Sequence, residues 1–124
     1  MKISKRPLTI FNISLYMAKC YFFKGDVDKG FYYLDKSLEY YKSSSKIEQN
    51  SVNLVKAIGF YKSKNQEKMF DSLEEIKQKE KFLSNEEKLI FYYLLEISGD
   101  KKYEGKFEEL RKKLKAVNFL ENFK

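Results

Sequence analysis

The chain offers few residues able to do chemistry. Cys20 is its single thiol, Glu74-Glu75 and Glu108-Glu109 are adjacent carboxylate pairs, Lys24-Gly25-Asp26 is a short glycine-containing turn, and Arg111, Lys112, Lys113 and Lys115 form a basic cluster. There is no histidine, which removes the usual base for a Ser or Cys nucleophile and the commonest metal ligand. Cys20 falls on an apolar face beside Met17 and Phe23, where a thiol packs as inert filler. Neighbouring carboxylates on a helix point apart and cannot share a proton as an acid/base dyad. Lys24-Gly25-Asp26 is too short and wrongly composed for a phosphate-binding loop. The expectation is a chain with no catalytic residues, no cofactor and no metal.

The elements that carry these residues read as helices. From Leu8 to Phe23 the apolar positions run almost all round: Leu8, Phe11, Leu15, Ala18 and Phe22 on one face, with Ile10, Ile13, Met17, Cys20 and Tyr21 about it. A helix apolar on every side is sandwiched or lacks a partner. Gly25 suits a left-handed helix end and Asp26 a cap. A second helix from Val27 to about Lys42 follows, with Val27, Phe31, Leu34, Leu38 and Tyr41 as its stripe. Ser43-Ser44-Ser45 is the sharpest break in composition. Beyond it a third helix, from about Ile47 to Lys62, presents Leu54, Ala57, Ile58 and Tyr61, and Asn65 caps a fourth with Met69, Leu73 and Ile76. Ser84-Asn85-Glu86-Glu87 is a capping box that opens a fifth helix. Gly99-Asp100 repeats Gly25-Asp26, and a sixth helix is expected to carry Tyr103, Phe107, Leu110 and Leu114. Phe119, Leu120 and Phe123, in the tail from Asn118 to Lys124, suit a C-terminal cap over the last hairpin.

Composition agrees with this reading. The 124 residues fit one domain spanning 1–124, at 43% hydrophobic and 35% charged, with one Pro and five Gly. One cysteine allows no internal disulfide, so the reducing cytoplasm is the expected compartment. The basic start and the apolar stretch after it raise a signal peptide. Asn12, Ser14 and Lys19 interrupt that stretch and no small-residue cleavage site follows, so a folded helix is expected, with no membrane span. A net charge of +7 attracts anionic partners through salt-sensitive forces. AT-rich coding, which favours Lys, Asn, Ile, Phe and Tyr, is the competing source of that charge.

The segment from Ala18 to Leu38 resembles a tetratricopeptide repeat. The family's small residue, Tyr, Gly-Asp turn, second small residue, apolar position and third small residue fall on Ala18, Tyr21, Gly25, Asp26, Gly30, Leu34 and Ser37. With Tyr21 as anchor, Phe60 and Leu95 are the later equivalents; from 21 to 60 is 39 residues and from 60 to 95 is 35, close to the family's period of about 34. Met69 and Tyr92 depart from the small-residue pattern, and Gly105 sits one place late. The resemblance implies an all-α solenoid of about three antiparallel hairpins, at about 8–42, 47–82 and 85–116, with Gly30 closely approaching Ala18.

It further implies a protein- or peptide-binding module, regulatory or scaffolding, whose groove is lined by the first helix of each repeat. The groove positions fall on Asn12, Lys19 and Phe22, then Ser51, Leu54, Ile58 and Tyr61, then Glu86, Tyr93 and Glu96. For Phe22, Leu54 and Ile58 ordinary core packing is the alternative. Chaperone-binding relatives hold a terminal carboxylate with Lys and Asn at positions where this chain has Leu15 and Lys19, so that clamp is not expected. Lys-rich, Tyr/Phe-rich degenerate repeats of this kind resemble the peptide-sensing regions of bacterial and phage quorum-sensing regulators, here without their DNA-binding domain. The apolar first helix also suggests self-association through the N-terminal hairpin. A nucleic-acid-associated regulator using the basic surface, with Arg111 and Lys115 one turn apart, is the alternative. Interspersed Glu104, Glu108 and Glu109 weigh against it.

Overall fold

A computed structural model describes residues 7–41 and 45–114. The expected tail from Asn118 to Lys124, and Lys115, lie outside the described residues. Six α-helices account for most of the rest: α1 (Pro7–Phe23), α2 (Val27–Leu38), α3 (Lys46–Lys62), α4 (Gln66–Lys77), α5 (Asn85–Ile97) and α6 (Lys106–Leu114). Two single 3-10 turns, Glu80–Phe82 and Lys101–Tyr103, precede α5 and α6. Among the described residues there is no strand.

Three turns are built alike. After α1 the Asp26 amide reaches back to the Tyr21 carbonyl (2.9 Å) and the Gly25 amide to Phe22 (3.0 Å). After α3 the pairs are Asn65 to Phe60 (2.8 Å) and Lys64 to Tyr61 (3.1 Å), and after α5 they are Asp100 to Leu95 (3.1 Å) and Gly99 to Glu96 (3.0 Å). This is the pair of back-bonds that satisfies the last carbonyls of a helix, and it needs a left-handed residue at its centre. That residue is Gly25 (φ +86°), Lys64 (φ +63°) and Gly99 (φ +85°) in turn. The next residue then caps the following element: Asp26 accepts from the Lys29 amide, Asn65 from Lys68 and Asp100 from Lys102. Tyr21, Phe60 and Leu95, spaced 39 and 35 residues apart, are thus the acceptors of three equivalent bonds.

Packing follows chain order. Helix α1 packs on α2 and α3 on α4, while α1, α3 and α5 pack in succession and α6 lies on α5. Phe11, Ala18 and Phe22 of α1, Ala57 and Ile58 of α3, Leu73 and Ile76 of α4, Phe91 and Leu94 of α5 and Phe107 of α6 are all enclosed. Burying each large side chain contributes about 1.5–3 kcal/mol.

The close approach over Gly30 involves Phe22. The three atoms nearest to a Cβ there would all belong to its ring, Cδ1 and Cε1 foremost. Gly59 of α3 borders the same ring, and a Cβ on it would lie 2.5 Å from Cζ. Two glycines on neighbouring helices therefore form a slot for one aromatic ring, with Phe31 edge-on at 4.9 Å.

The last pair departs from the expected pattern. Tyr103 belongs to the 3-10 turn, and α6 begins only at Lys106, because Gly105 takes φ +83° and breaks the helix. Tyr103 is held there by its hydroxyl, which donates to Glu80 Oε1 (3.2 Å). Tyr92 of α5 donates to the other oxygen of the same carboxylate (2.5 Å). Burial first, and then Glu80, push the Tyr92 and Tyr103 phenols above their usual range. Lys77 of α4 bridges to Asp100 (2.6 Å) and Glu74 (2.7 Å) and so ties α4 to the turn after α5.

Candidate functional site

Helical spacing brings three helix faces together. Residues three, four and seven apart share one side of a helix, so Asn12, Leu15, Tyr16 and Lys19 line up on α1, Ser51, Leu54 and Val55 on α3, and Glu87 and Ile90 on α5. These nine residues line one open cavity of about 150 Å³. Its floor is aliphatic: Leu15, Leu54, Val55 and Ile90 are buried beneath it. An apolar space of about this size admits one benzene-sized group.

The rim is polar and held in place. Ser51 Oγ donates to Glu87 Oε2 (2.8 Å), linking α3 to α5. Glu87 Oε1 accepts the Ser84 amide (2.9 Å), while Ser84 Oγ accepts the Glu87 amide (3.2 Å). The capping box that starts α5 therefore also fixes a carboxylate at the cavity. Lys19 Nζ lies 3.5 Å from Glu86 Oε1 and 5.4 Å from the centre of the Tyr16 ring. A hydrogen bond with Cys20 raises the Tyr16 phenol above its ordinary value, with a smaller push from Glu86.

Of the residues expected to line a groove, Asn12, Lys19, Ser51 and Leu54 meet at this cavity, and Glu86 joins them through Lys19. Two others do not. Phe22 and Ile58 are fully buried: Phe22 because Gly30 and Gly59 enclose its ring, and Ile58 because α3 is the central helix, packed against α1, α2, α4 and α5. Both are core residues. Tyr61 and Tyr93 form a separate contact between α3 and α5. Burial first, and then the charge interaction and hydrogen bond with Tyr61, raise the Tyr93 phenol, whose ring stands 5.3 Å from Phe107. Glu96 accepts the Gly105 amide (3.1 Å) and so braces the turn before α6.

Sequence reasoning missed Tyr16, Val55, Glu87 and Ile90. Tyr16 lies one turn from both Asn12 and Lys19, a spacing that could have found it. Glu87 drew notice only as a cap. The basic cluster of α6 is partly neutralised, since Arg111 forms a 2.7 Å ion pair with Glu108. Among the described residues no group of three His, Cys, Asp or Glu side chains could hold a metal ion, and no helix is long and apolar enough to cross a membrane. No protein-family model matches the chain, and no curated protein or solved structure matches it either.

Proposed function

We propose that this chain is a non-catalytic, tetratricopeptide-like repeat module of three helical hairpins that binds a peptide or a segment of a partner protein in the groove formed by α1, α3 and α5. The observation that carries the reading is the cavity at which three first helices converge, with an aliphatic floor and hydrogen-bonded polar rim. A few polar groups around an apolar pocket fix orientation while the pocket supplies affinity. The three equivalent turns, at the spacing of the sequence resemblance, favour the repeat assignment. A regulatory or scaffolding role in the cytoplasm accords with the lone cysteine and the quorum-sensing-like composition. Self-association through the N-terminal hairpin is part of the same reading, because α1 exposes Ile13 and carries no charged residue from Pro7 to Ala18.

The test is selection of binders from a random peptide library on the full chain, with retesting on Asn12→Trp. Asn12 is exposed at the cavity, so the indole covers the opening without entering the core. The reading expects peptides that bind at high salt and are lost in the variant. A partner set consisting of nucleic acid alone, released by salt, would replace this reading with the basic-surface alternative.

A further inference from the structure

Resting on that groove reading, we infer that the ligand carries a cationic side chain next to its apolar anchor, and that the Tyr16 ring and the Glu86 carboxylate receive the cation at the mouth of the cavity. Lys19 now occupies that place. Its ammonium stands 5.4 Å from the Tyr16 centroid, inside the roughly 6 Å reach of a cation–π contact, and 3.5 Å from Glu86 Oε1.

The ion pair itself holds Lys19 weakly. The Glu86 side chain is 71% exposed and that of Lys19 24%, and a pair with one end open to solvent contributes little to stability. An exposed aromatic ring beside an exposed carboxylate is nonetheless the chemistry that receives an ammonium or guanidinium group. A ligand arginine offers a planar fork of donors to the Glu86 carboxylate, which Lys19 touches at one distant oxygen. When Lys19 swings into solvent, the ring and carboxylate are free for the incoming side chain.

Charge balance at the rim selects the sign. Among the described residues Glu86 and Glu87 stand against Lys19 there, which makes the described rim acidic on a chain of net charge +7. Glu87 cannot move away, because both of its oxygens are bonded, to Ser51 and to the Ser84 amide. An anionic ligand group approaching Lys19 therefore meets a fixed carboxylate beside it, and like charges across a contact are disfavoured. The floor beneath takes the neighbouring apolar side chain. The ligand class is a peptide segment pairing an aliphatic residue with arginine or lysine.

The experiment follows amide NMR shifts of the full chain on titration with two capped tetrapeptides, alanyl-leucyl-arginyl-alanine amide and its glutamyl counterpart. The arginyl peptide should shift the Ser51, Leu54 and Ile90 amides and bind about fivefold more tightly than the glutamyl one. Lys19→Ala should strengthen arginyl binding, because it removes the internal competitor, and Glu86→Gln should erase the preference. Both substitutions lie on helix surfaces, and unchanged spectra elsewhere report an intact fold. Tighter glutamyl binding, or loss of arginyl binding in Lys19→Ala, would overturn the cation assignment and leave the groove standing. If neither peptide shifts the cavity amides, the groove reading falls and the cation assignment with it.

Discussion

Gly30→Ala tests the packing at the heart of the first hairpin. In a solvated helix this change stabilises by about 1 kcal/mol, through Ala's higher propensity. Here the added Cβ would collide with Phe22 Cδ1 and Cε1. The ring cannot withdraw: Gly59 closes its far side and Phe31 stands against it at 4.9 Å. Overfilling a packed core costs about 1–3 kcal/mol, and the collision with two ring atoms places this case in the upper part of that range. The net expectation is a loss of about 1–2 kcal/mol, read as a lower urea midpoint at constant slope. Phe22→Leu leaves a partial cavity and is destabilising by itself. Combined with Gly30→Ala it makes room for the new methyl, so the double variant should lose at least about 1 kcal/mol less than the sum of the singles. A Gly30→Ala chain more stable than the parent, or strict additivity with Phe22→Leu, would refute the slot formed by Gly30, Phe22 and Gly59.

Other outcomes follow from the turns and the polar contacts. Lys64 is the one described non-glycine residue at positive φ, so Lys64→Gly should stabilise by about 0.5–1 kcal/mol in thermal unfolding, the reverse of a glycine substitution inside a helix. Asp100→Ala removes both the cap on Lys102 and the bridge to Lys77, and should cost about 1–2 kcal/mol in urea. The hydrogen bond from Lys77 holds the Asp100 carboxyl below its usual value. Its contribution is therefore present above the ordinary Asp pKa and disappears as pH falls through the lowered one, and an acid titration of Asp100→Asn should lack that step. Tyr92 and Tyr103 are raised, so their contribution is complete below about pH 10 and is lost as pH rises through the folded values. Tyr92→Phe should shrink the late-ionising fraction in an ultraviolet titration. Ile13→Lys should leave secondary structure intact and abolish any self-association seen by light scattering.

The starts of α2, α4 and α5 were legible because their signals are local, whereas α2 stops at Leu38, short of the expected end near Lys42. Asp26, Asn65 and Ser84 cap the next helix through their own side chains, and Gly25 and Gly99 mark helix ends by backbone freedom. Lys64 at the equivalent turn was invisible as such, since its left-handed conformation is imposed by the same back-bonds without a glycine to announce it. The break at Gly105 was hidden for another reason. Tyr103 fits a helical stripe, and neither the left-handed conformation of Gly105 nor the bond to the distant Glu80 carboxylate can be read from that stripe.

At the site, periodicity identified the faces and could not rank their depth. Leu54 and Ile58 stand one turn apart on α3, yet only Leu54 reaches the cavity, because Ile58 lies where the central helix meets its neighbours. Phe22 falls where the resemblance places a groove residue, and its ring is enclosed in the core beside Gly30 and Gly59 instead. Glu87 shows the converse. One carboxylate serves as helix cap and as cavity wall, and a motif read for one role does not disclose the other.

The central claim is that α1, α3 and α5 form the binding face. Its most direct measurement is the footprint of a library-selected peptide on the amide NMR spectrum of the full chain. The largest shifts are expected at Asn12, Lys19, Ser51, Leu54 and Ile90, all reduced in Asn12→Trp. A footprint confined to α2, α4 and α6, unchanged by that substitution, would contradict it.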